Sequence, residues 1–117
     1  MAGEREKFGA FIRGKRAAKE IGLREMAKMI GVSPTYLSKV ERDEFPPPAE
    51  DKVKAIAKII ECNADDLLAR AGRVSSDLAD IIRRQPVQAA ALLRTTKGWT
   101  AERWTEAIRD AQKPKDK

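Results

Sequence analysis

Residues 23–42 read LREMAKMIGVSPTYLSKVER, and the placing of their apolar side chains decides the fold. Met26, Ile30, Val32, Leu37 and Val40 fall where two short helices would turn them to one side, and Ala27 is small enough to let those helices approach closely. Gly31 is the natural residue for a left-handed helix end. Ser33 is a natural N-cap, with Pro34 in the first turn behind it. The stretch therefore predicts helix, tight turn, helix. The outer side of the second helix keeps Thr35, Tyr36, Ser38, Lys39 and Arg42. A short helix held from beneath, with small polar, aromatic and basic groups outward, suits the major groove of DNA.

On the N-terminal side, residues from about 5 to 20 are expected to form a first helix. Phe8, Phe11, Ile12 and either Ala18 or the stem of Lys19 recur at three- and four-residue steps, with Arg13, Lys15 and Arg16 between them. Gly22 is expected to break that helix. On the C-terminal side, Pro46, Pro47 and Pro48 cannot continue a helix and read as a stiff connection. A fourth helix over about 49–61 would bury Val53, Ile56, Ala57 and Ile60. Asn63 would cap a fifth, with Asp65 and Asp66 in its first turn complementing the dipole. Leu67, Leu68 and Ala71 complete the core, and Gly72 ends the helix. Residues 1–72 thus read as one five-helix domain.

Residues 73–117 read as a helical extension. Leu78, Ile81 and Ile82 lie on a sixth helix that Ser75 or Ser76 could cap, Pro86 opens a seventh carrying Ala89, Leu92 and Leu93, and Thr100 caps an eighth carrying Trp104 and Ile108. Lys97-Gly98 would end the seventh, and the closing KPKDK should fray. Three short helices are too small to be stable alone. Their apolar stripes need cover from the N-terminal domain or from a second copy of the chain. No alternating apolar and polar runs appear, so the fold class is all-α.

The charge is as uneven as the hydropathy. The chain of 117 residues carries a net charge of +6. Residues 5–42 hold ten Lys/Arg against four Glu, whereas 43–72 hold four basic residues against seven acidic ones. The positive charge therefore belongs to the helices that would face a polyanion. With no histidine and a single cysteine, a conventional metal cluster or a histidine-assisted nucleophile is not expected, and there is no glycine-rich phosphate loop. Neither a catalytic residue nor a cofactor is assigned. Cys62 beside Ile59-Ile60 reads as a small buried hydrophobe. The polar N-terminus and the lack of a long apolar run point to a cytoplasmic protein.

These residues imply a division of labour on DNA. Arg13, Lys15, Arg24, Lys28 and Arg42 would neutralise phosphates and supply most of the binding energy. Lys39 can donate to guanine O6 and N7, while Thr35 offers a methyl to thymine and a hydroxyl to a polar base edge. One helix reads only a few base pairs, too few to single out one genomic site. A homodimer on a palindromic operator, with half-sites about 34 Å apart, removes that limit. The extension would supply the interface through Leu78, Ile82, Leu92, Leu93 and Trp104.

The segment from about Phe8 to Gly72 resembles the helix-turn-helix domain of lambda-repressor/Cro-like regulators, the XRE family. The resemblance rests on the MAKMIGVS turn, the YLSKVER helix and the DDLLARAG helix. It implies a partly buried salt bridge between Arg16 and Glu41, which turns that acid away from phosphate and toward the domain. It places Pro34, Thr35, Ser38 and Lys39 at base edges and Tyr36 near the sugar-phosphate backbone. Two positions depart from the family pattern. Leu23 stands where a glutamine often grips a phosphate, so that contact passes to Arg24 or to a backbone N–H at the helix start. Pro34 has no side-chain donor, which leaves more of the readout to Thr35 and Lys39. The extension resembles those of some short repressors, including ones cleaved by a metallopeptidase. The resulting expectation is a repressor acting on double-stranded operator DNA. The alternative is an antitoxin or phage-type regulator whose extension binds a partner protein, a toxin or a protease.

Overall fold

The computed structural model describes residues 6–114. Among them are eight helices: α1 (Phe8–Ala18), α2 (Leu23–Ile30), α3 (Pro34–Glu41), α4 (Glu50–Ile59), α5 (Ala64–Arg70), α6 (Ser76–Arg84), α7 (Pro86–Thr95) and α8 (Ala101–Gln112). No strand occurs among the described residues. The chain divides into two compact units between Ser76 and Asp77.

The first unit closes around one apolar core. Phe8 and Ile12 of α1, Met26, Ala27 and Ile30 of α2, and Leu37 and Val40 of α3 are buried together with Val53, Ile56, Ala57, Ile60, Leu67 and Leu68. Each large aliphatic side chain so buried contributes roughly 1.5–3 kcal/mol relative to exposure. Phe11, Val32 and Ala71 are only half-buried at the edge of this cluster. Ala18 is exposed, because α1 ends there and its last turn has passed the core.

Helix ends depart from the expected residues in an instructive way. Gly31 and Gly72 take left-handed φ values of 76° and 75°, as glycines at C′ positions do. Gly22 does not break α1. Its φ is −70°, and it serves as the N-cap of α2. The break comes earlier, at Glu20 (φ 56°), whose N–H bonds to the Ala17 carbonyl while Ile21 N–H bonds to that of Arg16. Asp43 (φ 60°) and Glu61 (φ 58°) make the same left-handed turn after α3 and α4. A side chain with a Cβ in this region costs roughly 1–2 kcal/mol, so the core on either side must hold these turns.

The segment around the prolines is fixed by side chains that reach it from elsewhere in the unit. Arg73 donates to the carbonyls of Pro47 (3.1 Å) and Pro48. Lys52 donates to the Ile30 carbonyl at 2.8 Å, satisfying a free acceptor at the end of α2. Glu50 accepts from the Ser76 N–H at 3.2 Å and its hydroxyl at 3.1 Å, and pairs with Lys54 at 2.8 Å. The Lys54 bond, followed by the Ser76 N–H, holds the Glu50 carboxyl down to about 2. These bonds carry the first unit to Ser76, four residues beyond the glycine that ends α5.

The second unit is built differently. Pro86 opens α7 and Thr100 caps α8, accepting from the Arg103 N–H at 3.1 Å. α7 runs only to Thr95, with Thr96 as its C-cap. Trp99 is half-buried, its ring centre 5.8 Å from that of Trp104 in an edge-on contact and 4.2 Å from the Arg103 guanidinium. Among the described residues of this unit only Thr96 is buried. Of the closing KPKDK, Lys113 and Pro114 are described; the expected fraying of the last three residues lies outside the described residues.

Among the described glycines, Gly9 leaves the least room for a side chain. A Cβ there would overlap the Val40 carbonyl oxygen and stand 2.8 Å from that of Glu41. Both atoms belong to the backbone of α3, which cannot step aside as a side-chain tip can. Gly9→Ala is expected to destabilise the domain by about 1–3 kcal/mol through overpacking, measured as a lower urea midpoint with an unchanged m-value. An unchanged midpoint would show that α1 shifts freely against α3.

Candidate nucleic-acid interface

α3 owes its position to what lies beneath it and to the treatment of its two ends. Leu37 and Val40 are fully buried, while Thr35 and Arg42 are exposed and Pro34, Ser38 and Lys39 half-buried. The Ser33 hydroxyl accepts the Tyr36 N–H at 3.0 Å, closing the N-terminus. At the other end the chain reverses at Asp43, and the N–H groups of Glu44 (2.9 Å) and Phe45 (3.2 Å) both reach the Lys39 carbonyl. The Asp43 carboxylate then accepts from the N–H groups of Gly9 (2.8 Å) and Ala10 (3.2 Å). α1 has no acidic residue in its own first turn; Asp43 supplies the negative charge that a helix N-terminus favours.

A partly buried ion pair ties α1 to the end of α3. The Arg16 guanidinium donates Nε to Glu41 Oε2 at 2.7 Å and Nη2 to Glu41 Oε1 at 2.9 Å, and Nη1 reaches the Ile21 carbonyl at 2.7 Å. The Glu41 side chain is only 4% exposed. The bond to Glu41 raises the guanidinium's pKa further. Glu41 is thereby spent on the fold, and the acid on this basic helix does not face outward.

Two adjoining shallow hollows gather most of the basic and polar groups. One is lined by Leu23, Arg24, Pro34, Thr35, Ser38 and Arg42. The second runs from Arg13 and Arg16 past Leu23 and Ser38 to Glu41 and Arg42. Arg13, Arg24, Thr35, Ser38 and Arg42 therefore share one face formed by α1, α2 and α3. Arg42 is tied only loosely, by an exposed pair with Glu44 at 3.4 Å, a contact of small net value in water, and by its Nε donating to the Ser38 carbonyl at 3.4 Å. Leu23 is half-buried against the core, which leaves exposed Arg24 beside it.

The remaining residues spread beyond this face. Lys15 sits 5.6 Å from the centre of the Phe11 ring, which also receives the Arg70 guanidinium at 3.8 Å. That places it toward α5, and it lines neither hollow. Lys28 is exposed on α2. Lys39 and Tyr36 flank Phe45: the Lys39 ammonium is 5.2 Å from the ring centre, and the Tyr36 ring 5.9 Å from it. Leu78, Ile82, Leu92, Leu93 and Trp104 are all exposed.

Sequence reasoning overlooked Gly9, Asp43 and Phe45. Only Gly9 left a signal, a glycine inside an otherwise regular helix, which often marks close approach of another backbone. Asp43 and Phe45 act across the fold, and nothing local distinguishes them. No cluster of His, Cys, Asp and Glu able to hold a metal occurs among the described residues. No helix among them is long and apolar enough to cross a membrane.

Comparison with known proteins adds an independent line. A helix-turn-helix family model matches residues 12–67. An uncharacterized HTH-type transcriptional regulator of Mycobacterium tuberculosis is 41% identical over 64 residues, which is 55% of this chain and 45% of that protein, and its counterpart from a second strain matches equally. The chain thus spans less than half the length of these curated relatives. The solution structure of the DNA-binding domain (1–76) of the P22 c2 repressor is 32% identical, with a TM-score of 0.50, covering 56% of this chain and 84% of that one. The SinR protein/SinI protein complex, at 21% identity and a TM-score of 0.50, covers 90% of this chain and 94% of the matched chain. It shows likeness of fold alone.

Removing one member of the partly buried pair strands the other. Glu41→Ala is expected to cost roughly 3 kcal/mol, read as a lower urea midpoint for the first unit. A loss below about 1 kcal/mol, the range of exposed pairs, would mean that water reaches Arg16 freely.

Proposed function

We propose that this chain, whose residues 12–67 match a helix-turn-helix family model, is a sequence-specific, double-stranded DNA-binding transcriptional repressor of the lambda-repressor/Cro-like type with α3 in the major groove. The observation that carries this reading is the α3 surface. Buried Leu37 and Val40 and the Arg16–Glu41 pair hold the helix, and Thr35, Ser38, Lys39 and Arg42 are left toward the outside. Pro34, Thr35, Ser38 and Lys39 approach base edges. Arg13, Arg24, Lys28 and Arg42 meet phosphates, as does Lys15 at the margin of the footprint, and Tyr36 lies against the sugar-phosphate backbone.

Selection of bound sequences from random DNA tests the reading. Thr35→Ala and Lys39→Ala should reduce discrimination between the selected operator and random DNA by roughly fivefold or more. Arg13→Ala should weaken both alike and lower the salt slope by roughly one unit. Equal loss on both DNAs for Thr35→Ala and Lys39→Ala would move those residues to the phosphate class.

The protein acts as a homodimer on a palindromic operator, joined through the extension. Support comes from the second unit, whose Leu78, Ile82, Leu92, Leu93 and Trp104 are between 36% and 58% exposed in the single chain. Short helices that bury none of these residues lack the apolar burial that stabilises helices in water. A second copy supplies it symmetrically, and symmetry matches two half-sites. Leu92→Asp combined with Leu93→Asp should turn the dimer into a monomer by sedimentation and reduce operator binding, with first-unit stability unchanged. A dimer that survives the pair of charges would move the interface elsewhere. A stoichiometric second protein purified with the chain from its native host would favour the toxin- or protease-binding alternative.

A further inference from the structure

Phe45 is the one large aromatic beside α3 that the DNA-binding reading leaves unused. It lies outside the helix, is 41% exposed, and contributes little to the core. Its position is nevertheless closely set. Asp43 reverses the chain, and the N–H groups of residues 44 and 45 both bond to the Lys39 carbonyl. The Phe45 backbone is therefore anchored to the residue whose side chain its ring faces. The ring meets Lys39 Nζ at 5.2 Å and the Tyr36 ring at 5.9 Å.

A lysine on a helix surface ordinarily samples many rotamers, and fixing them costs conformational entropy. The ammonium over an aromatic face is held by the ring quadrupole. Lys39 thereby has part of its ordering done before DNA arrives, and the Tyr36 ring also lies against Phe45. An aliphatic residue at position 45 would fill the same space without attracting the charge.

We propose that Phe45 is a specificity-determining positioning residue: its ring pre-orients the Lys39 ammonium toward guanine in the operator. This rests on the DNA-binding reading above, with Lys39 as a base-reading residue. Phe45 touches no base in this scheme and acts through Lys39.

The test uses the 117-residue chain and its selected operator, compared with the same operator carrying 7-deazaguanine, which lacks the N7 acceptor, at each guanine in turn. Wild type should lose roughly tenfold in affinity at the guanine that Lys39 reads. Lys39→Met should abolish that difference. Phe45→Leu should narrow it roughly two- to fivefold, Phe45→Tyr should restore it, and Phe45→Leu should add nothing in the Lys39→Met background. Thermal unfolding of each variant separates loss of fold from loss of readout. A Phe45→Leu protein that weakens on both probes equally, with the 7-deaza difference intact, overturns the proposal and makes Phe45 a backbone-side contact. So does a wild type that prefers its operator yet shows no 7-deaza difference removable by Lys39→Met. A wild type with no preference for operator over random DNA fails at the earlier step and overturns the regulator reading itself.

Discussion

The bidentate pair between Arg16 and Glu41 is the contact on which the orientation of α3 depends. Two charges taken largely out of water are tolerated only when each finds its partner in good geometry, and here both carboxylate oxygens are engaged while the third guanidinium donor reaches the Ile21 carbonyl. Apolar packing would allow α3 to roll by a few degrees about its axis with little loss. The pair does not, because hydrogen bonds weaken steeply with angle. It sets the direction in which Thr35, Ser38 and Lys39 project.

α1 is clasped to α3 at a second point, and the two contacts reinforce each other. Asp43, just past the end of α3, accepts the N–H groups of Gly9 and Ala10, and Gly9 lacks a side chain where the two backbones nearly touch. Arg16 acts from near the C-terminal end of α1 and Asp43 on its first turn, so α1 spans the helix it supports. The strained left-handed turn at Asp43 has a use on both sides. It brings the carboxylate to α1 and folds Phe45 back over Lys39.

The two units differ in how they resolve the same problem. In the first, five helices of seven to eleven residues share thirteen buried apolar side chains. In the second, helices of similar length keep their leucines and isoleucines exposed, and the contacts described are local ones: a tryptophan pair, a cation–π contact, the Thr100 cap and the Arg83–Asp80 and Lys113–Asp110 ion pairs.

Much of the first unit was legible in the sequence because its cues are local. Gly31, Ser33, Pro34 and Asn63 act within one turn of their own position, and the apolar spacing names the core from Met26 to Leu68 almost residue for residue. The sequence by itself determined the helices, their order, the all-α class and the small polar face of α3. Only the tertiary structure decided where α1 stops, since nothing local assigns the left-handed conformation to Glu20. It also decided that Lys15 lies toward α5, away from the Arg13–Arg42 hollow, and that Phe45 faces Lys39. These depend on contacts between residues far apart in the chain, such as Gly9 with Val40 and Asp43. A pattern of period 3.6 fixes which residues share a helix face, but it carries no information about which neighbour that face will meet.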